Sequence, residues 1–67
     1  MIGLIINGEA RSFAAPLTLA QLVECLSLAG KRIAIEKNGA IVPRSQYPET
    51  TLADNDRLEI VVAVGGG

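Results

Sequence analysis

Apolar residues along this chain recur with two different periods, and the places where the period changes mark its elements. Ile2, Leu4 and Ile6 alternate with Gly3, Ile5 and Asn7, and the β-branched richness of that run predicts a strand with one buried face. Asn7-Gly8 then supplies a tight turn, since both residues tolerate positive φ. A second strand is expected through Ala10, Arg11, Ser12, Phe13 and Ala14, ended by Pro16, which cannot donate to a ladder. Leu19, Leu22, Val23 and Leu26 fall at helical spacing behind Thr18 and Gln21, a capping-box pair. Gly30 is the expected stop, with Lys31 and Arg32 beside the helix's negative end, which predicts a helix of about three turns.

Alternation returns from Arg32 to Lys37, and Asn38-Gly39 with Ile41 and Val42 completes the clearest hairpin signal in the chain, limited by Pro43. Arg44 to Asn55 is mostly polar and predicts an irregular crossing segment pinned by Tyr47 and Leu52. Arg57 to Val64 is a long strand, with Leu58, Ile60, Val62 and Val64 on one face and Glu59, Val61 and Ala63 on the other. The order is ββαββ plus a final β. One helix must bury its stripe on one face of a mixed sheet, and parallel pairing of the first and last strands makes this an α+β, β-grasp arrangement of about five strands. Residues 1–64 are expected to form the domain and residues 65–67 a flexible glycine tail.

Composition narrows the chemistry. At 67 residues there is room for one small core and little for an elaborate active site. With no histidine, the chain supplies no Ser-His or Cys-His pair, no His-ligated metal and no imidazole switch. Its one cysteine forms no internal disulfide, so a reducing, cytoplasmic setting is expected. Six Lys and Arg against seven Asp and Glu give a net charge of −1, and Phe13 and Tyr47 are the only aromatics, which argues against nucleic-acid binding. The run Met1 to Ile6 is too short for a signal segment, and no stretch approaches the roughly 20 apolar residues that span a bilayer.

The last strand runs into Gly65, Gly66 and Gly67. A frayed end is the ordinary reading of such a tail. The alternative is that a side-chain-free backbone threads a partner enzyme's channel and presents its own carboxylate, at a reach of about 3.3 Å per residue. Composition and periodicity leave the two open.

The interior pattern decides between them by resemblance. The run Lys37-Asn38-Gly39-Ala40-Ile41-Val42-Pro43-Arg44, then Tyr47, Leu52, Asp54, Asp56 and Arg57, and the end Ala63-Val64-Gly65-Gly66-Gly67, resemble the ubiquitin-like sulfur carriers. The likeness is closest to the thiamin-biosynthesis branch, often called ThiS, and covers essentially the whole chain. Tyr47 stands where that branch often has Trp. The resemblance implies a carrier that is itself a substrate rather than an enzyme and holds no cofactor. Gly67 would be adenylylated by an E1-like, ATP-using partner, converted to a thiocarboxylate with sulfur from a cysteine desulfurase or another persulfide donor, and consumed by thiazole synthase. Gly65 and Gly66 would occupy the partner's channel. The branch usually ends in two glycines and this chain in three, which leaves Gly67 or a trimmed Gly66 to carry sulfur; Gly67 requires no processing. The same chemistry occurs in the small subunit of molybdopterin synthase, and a plain β-grasp interaction module is the reading from another class.

Other residues carry weaker signals. Cys25 sits beside the Leu22 edge of the helix stripe, so partial burial is expected, and Cys25→Ser should leave sulfur transfer intact. Asp54 and Asp56 precede a strand in a polar turn, where Asp commonly bonds its own backbone, rather than forming an acid pair or metal site. Ile5 and Val61 point away from the helix-facing sets of their strands, and with Arg57 and Glu59 they outline a candidate docking surface. Arg44 is a further docking candidate.

Overall fold

The computed structural model describes residues 1–63; Val64, Gly65, Gly66 and Gly67 lie outside the described residues. The elements are β1 (Ile2–Ile6), β2 (Glu9–Phe13), α1 (Leu19–Cys25), β3 (Ile33–Lys37), β4 (Ala40–Ile41) and β5 (Arg57–Val62), with a 3-10 helix at Arg44–Glu49 between β4 and β5. They form one five-stranded sheet in the order β2-β1-β5-β3-β4. β1 and β5 are parallel, and the other neighbours are antiparallel. The expected order and the parallel central pair are both present.

One apolar core lies between α1 and the sheet. Leu4 and Ile6 of β1, Ile35 of β3 and Leu58 and Ile60 of β5 meet Leu19, Leu22 and Val23 of α1, and all are buried. These are the period-two and helical-period sets of the sequence, brought face to face because neither has enough apolar partners alone. Leu17, Tyr47 and Leu52 close the side of the core. The crossing segment is therefore pinned by Tyr47 and Leu52 as expected, although it contains a 3-10 helix. Its far end is tied to the entrance of α1 by Leu52 N–H to the Leu17 carbonyl and Leu19 N–H to the Thr50 carbonyl, each 2.8 Å.

The start of α1 is the capping box that Thr18 and Gln21 predict: Gln21 N–H donates to Thr18 Oγ1 at 3.2 Å and Thr18 N–H to Gln21 Oε1 at 2.8 Å. Its end differs. The helix is seven residues, about two turns rather than about three, because Ser27 takes up the left-handed conformation at φ 60°. Ser27 N–H donates to the Glu24 carbonyl at 3.0 Å and Leu28 N–H to the Val23 carbonyl at 2.9 Å, the pair of bonds that defines a Schellman ending. Gly30, at φ 82°, serves the following turn, in which Lys31 N–H reaches the Leu28 carbonyl at 3.1 Å. Leu26, placed in the stripe, is the C-cap and packs against the core half-buried, as does Leu28. No basic residue occupies the helix's last turn, so Lys31 and Arg32 do not serve its negative end.

Candidate functional site

The site begins from the pleat of the central strands. Since Leu58 and Ile60 face α1, Arg57, Glu59 and Val61 face the other way, onto the side of the sheet that no helix among the described residues covers. Register then sets their neighbours. Ile5 of β1 lies beside Arg57 and is flanked on its other side by Ala10 of β2. Glu59 lies opposite Glu36 of β3, which in turn lies opposite Ile41 of β4. Val61 lies opposite Ala34. The structure thus brings the four expected residues, Ile5, Arg57, Glu59 and Val61, onto one open face. Ile5 is half-buried, Arg57 and Glu59 are exposed, and Val61 is 63% exposed.

Two members of this face escape a reading of the sequence. Ile41, 65% exposed, extends the apolar surface to the sheet edge, and Glu36 sets a second carboxylate directly across from Glu59. Opposed like charges on neighbouring strands weaken a sheet. Alternation alone could place Glu36 on the outward set of its strand, but only the register pairs it with Glu59.

The second Asn-Gly turn is bound to the start of β5. Asn38, at φ 52°, donates its backbone N–H to the Arg57 carbonyl at 2.7 Å, accepts Arg57 N–H on Oδ1 at 2.9 Å, and donates Nδ2–H to Asp56 Oδ1 at 3.0 Å. Asp56 is the sole buried charged side chain among the described residues. Its other oxygen accepts Ala53 N–H at 2.8 Å and stands 4.0 Å from Lys37 Nζ. Burial pushes the Asp56 carboxyl up, but the bonds from Ala53 and Asn38 and the Lys37 charge outweigh it, so its pKa is lowered. Asp54 accepts Gly3 N–H at 2.6 Å. Asp56 therefore bonds its own turn, as expected, and ties it to the Asn38 hairpin, whereas Asp54 bonds not its own turn but Gly3 of β1. Among the described residues no group of three or more metal-ligating side chains assembles.

Cys25 is exposed, against the expected partial burial. It is the last residue of α1, where the chain turns away at Ser27 and Leu26 and Leu28 take over the packing. Arg44 is exposed and donates Nη2–H to the Lys31 carbonyl at 2.6 Å. It shares with Glu24, Val23 and Tyr47 the lining of a shallow cleft of 260 Å³ between α1 and the 3-10 helix. Gly65, Gly66 and Gly67, the expected channel and acceptor residues, lie outside the described residues.

Residues 4–67 match the model of the ThiS family. The chain belongs to the ThiS family. A crystal structure of the thiamine biosynthesis protein ThiS from Geobacter metallireducens superposes with a TM-score of 0.83 at 29% identity, covering 98% of this chain and 100% of that one. The fold is thus the ubiquitin-like β-grasp of ThiS proteins. The sulfur carrier protein ThiS of Bacillus subtilis is 38% identical over 50 residues, 75% of this chain and 76% of that protein. The thiazole synthase of Paramagnetospirillum magneticum is 44% identical over 64 residues, 96% of this chain but 20% of that protein. The ThiS-family chain therefore spans about a fifth of the length of that relative. No helix among its described residues is long and apolar enough to cross a membrane.

Proposed function

We propose that this ThiS-family chain is a sulfur carrier of thiamin biosynthesis, loaded at the carboxylate of Gly67. A carboxylate is a poor electrophile. An E1-like partner would join it to the α-phosphate of ATP, releasing pyrophosphate and leaving an acyl-adenylate. The outer sulfur of a desulfurase persulfide would then attack the acyl carbon and expel AMP, and a thiol would reduce the resulting acyl disulfide to the thiocarboxylate. That group is anionic at neutral pH, and its polarizable sulfur is the nucleophile a thiazole-forming enzyme requires. In this reading the domain catalyses nothing. Gly65 and Gly66 lie in the partner's channel, and Ile5, Arg57, Glu59 and Val61 form the docking surface.

The observation that carries the proposal is the family match, which runs through residue 67 and so takes in the glycine run together with the domain. The solved ThiS structure supports it through the whole fold. The likeness of this segment to part of a protein named thiazole synthase supports an enzyme of that kind as the sulfur acceptor.

The test is to incubate the chain with ATP and the E1-like enzyme, then with the persulfide donor, and to map mass changes on the C-terminal peptide. AMP addition followed by exchange of one oxygen for sulfur at Gly67 is expected. An active partner that leaves the tail peptide unaltered would remove the proposal. Localisation to that peptide is essential, since oxidation of Met1 or Cys25 changes the mass by nearly the same amount.

A further inference from the structure

The last backbone hydrogen bond of the described chain runs from Ala63 N–H to the Arg32 carbonyl, at 2.8 Å. The preceding carbonyl, that of Lys31, accepts from the guanidinium of Arg44 at 2.6 Å. Lys31, Arg32 and Arg44 are thus gathered beside Ala63, and all three are exposed. They are half of the six basic residues of a chain whose net charge is −1. Among the described residues the sole ion pair is Lys37 with Asp56, so none of the three stands within 4.0 Å of a carboxylate there. Glu24 shares a cleft with Arg44 but lies beyond that distance.

The position matters because of reach. Four residues follow Ala63, and a fully extended chain spans at most about 3.6 Å per residue, so Gly67 can lie no more than about 14 Å from Ala63. Any enzyme that acts on Gly67 must bring its surface that close to the backbone that Arg32 holds. Uncompensated charge at such a contact is repelled by a like-charged surface and attracted by an opposite one. We infer that Lys31, Arg32 and Arg44 form a basic collar that docks on acidic side chains around the channel mouth of the enzyme that adenylylates the tail. Arg44 has a double part, since its bond to the Lys31 carbonyl also positions the loop that carries the other two cations. The inference rests on the carrier reading and adds the partner chemistry to it.

The test compares the wild-type chain with the double variant Lys31→Ala, Arg32→Ala, which removes two cations and leaves the backbone carbonyls that accept from Arg44 and Ala63. The affinity of each for the E1-like enzyme is measured at low and at high ionic strength, with AMP incorporation followed in parallel. At low salt the variant is expected to bind roughly 10-fold more weakly. At about 1 M salt, where the Debye length is about 3 Å, the two should agree within about 2-fold. Equal affinities at low salt, or a loss that persists undiminished at high salt, would overturn the collar while wild-type charging still stands. A wild-type chain that takes up no AMP would remove the carrier reading and the collar with it.

Discussion

The side-chain amide of Asn7 makes two hydrogen bonds with the backbone of Ile60: Nδ2–H donates to the carbonyl at 3.1 Å and Oδ1 accepts the N–H at 2.8 Å. β1 ends at Ile6, one residue earlier, so this amide continues the pairing of β5 where β1 has already turned away. The same residue holds the left-handed conformation, at φ 51°, that starts the turn into β2. Asn7→Ala should therefore lose two partly buried bonds and also strain the backbone, at a total cost of about 3 kcal/mol. Asn7→Gly loses the bonds but relaxes the turn, and should cost roughly 1 kcal/mol less. Urea unfolding of both variants checks this, and equal costs would show that the conformation contributes nothing.

Ser27 offers the opposite case. It holds φ 60° at the end of α1, and among the described residues its side chain makes no hydrogen bond to compensate. Ser27→Gly should stabilise the domain by about 0.5–1 kcal/mol, since the Schellman bonds need only the backbone. For a domain of this size that is a rise of about 4–7 °C in Tm, measured by thermal unfolding.

These two residues also show what a sequence discloses and what it hides. Strands with one buried face write themselves as alternation, so Leu58 and Ile60 against Glu59 and Val61 were legible, as was the capping box at Thr18. Asn-Gly marks a turn, but the side-chain bonds of Asn7 to Ile60 and of Asn38 to Arg57 join residues far apart in sequence, and no local pattern encodes them. The end of α1 differs from the local pattern for a related reason. Gly30 is the residue with the strongest intrinsic preference for positive φ, yet burial of Leu26 and Leu28 against the core favours an earlier exit through Ser27. Ile5, Arg57, Glu59 and Val61 could be assigned to the open face from the pleat alone. Their pairing with Glu36 and Ile41 required the register.

Asp56 makes the domain acid-sensitive. Its folded pKa is lowered from 3.8, so the carboxylate's contribution is fully present above about pH 4 and is lost as pH falls through the folded value. Asp56→Asn should cost about 2 kcal/mol at pH 7 by weakening the bonds to Ala53 and Asn38. The gap between variant and wild type should narrow as pH falls below about 4, through the lowered folded value. Denaturant unfolding across that range reads the gap directly; a gap independent of pH would mean that the charge is not what Asp56 contributes.

Leu58 and Val61 separate stability from docking on one strand. Leu58 is fully buried, and Leu58→Ala should cost about 2–5 kcal/mol, enough to threaten a fold of this size. Val61 is 63% exposed, and Val61→Ser should change stability by no more than about 0.5 kcal/mol. If the open face docks the activating enzyme, Val61→Ser should nonetheless weaken binding, by about 10-fold for a residue worth 1.4 kcal/mol at an interface. Titration calorimetry with that enzyme decides the point, and unchanged affinity would remove Val61 from the docking surface.

The tail gives the most direct separation of handle from cargo. Among the described residues the buried core ends at Ile60 and the strand pairing at Val62, and Gly66→Leu is expected to leave the unfolding midpoint where it is in the wild type. If the activating partner receives the tail in a channel shaped for bare backbone, that side chain has no space there, and adenylylation of the variant should fall by at least about 100-fold, the rate equivalent of about 2.7 kcal/mol. Adding residues after Gly67 should abolish it outright, because the reacting carboxylate is then an amide. Measured together, folding and AMP incorporation give two independent readouts. Normal charging of either variant would show that the partner does not receive this tail end-on.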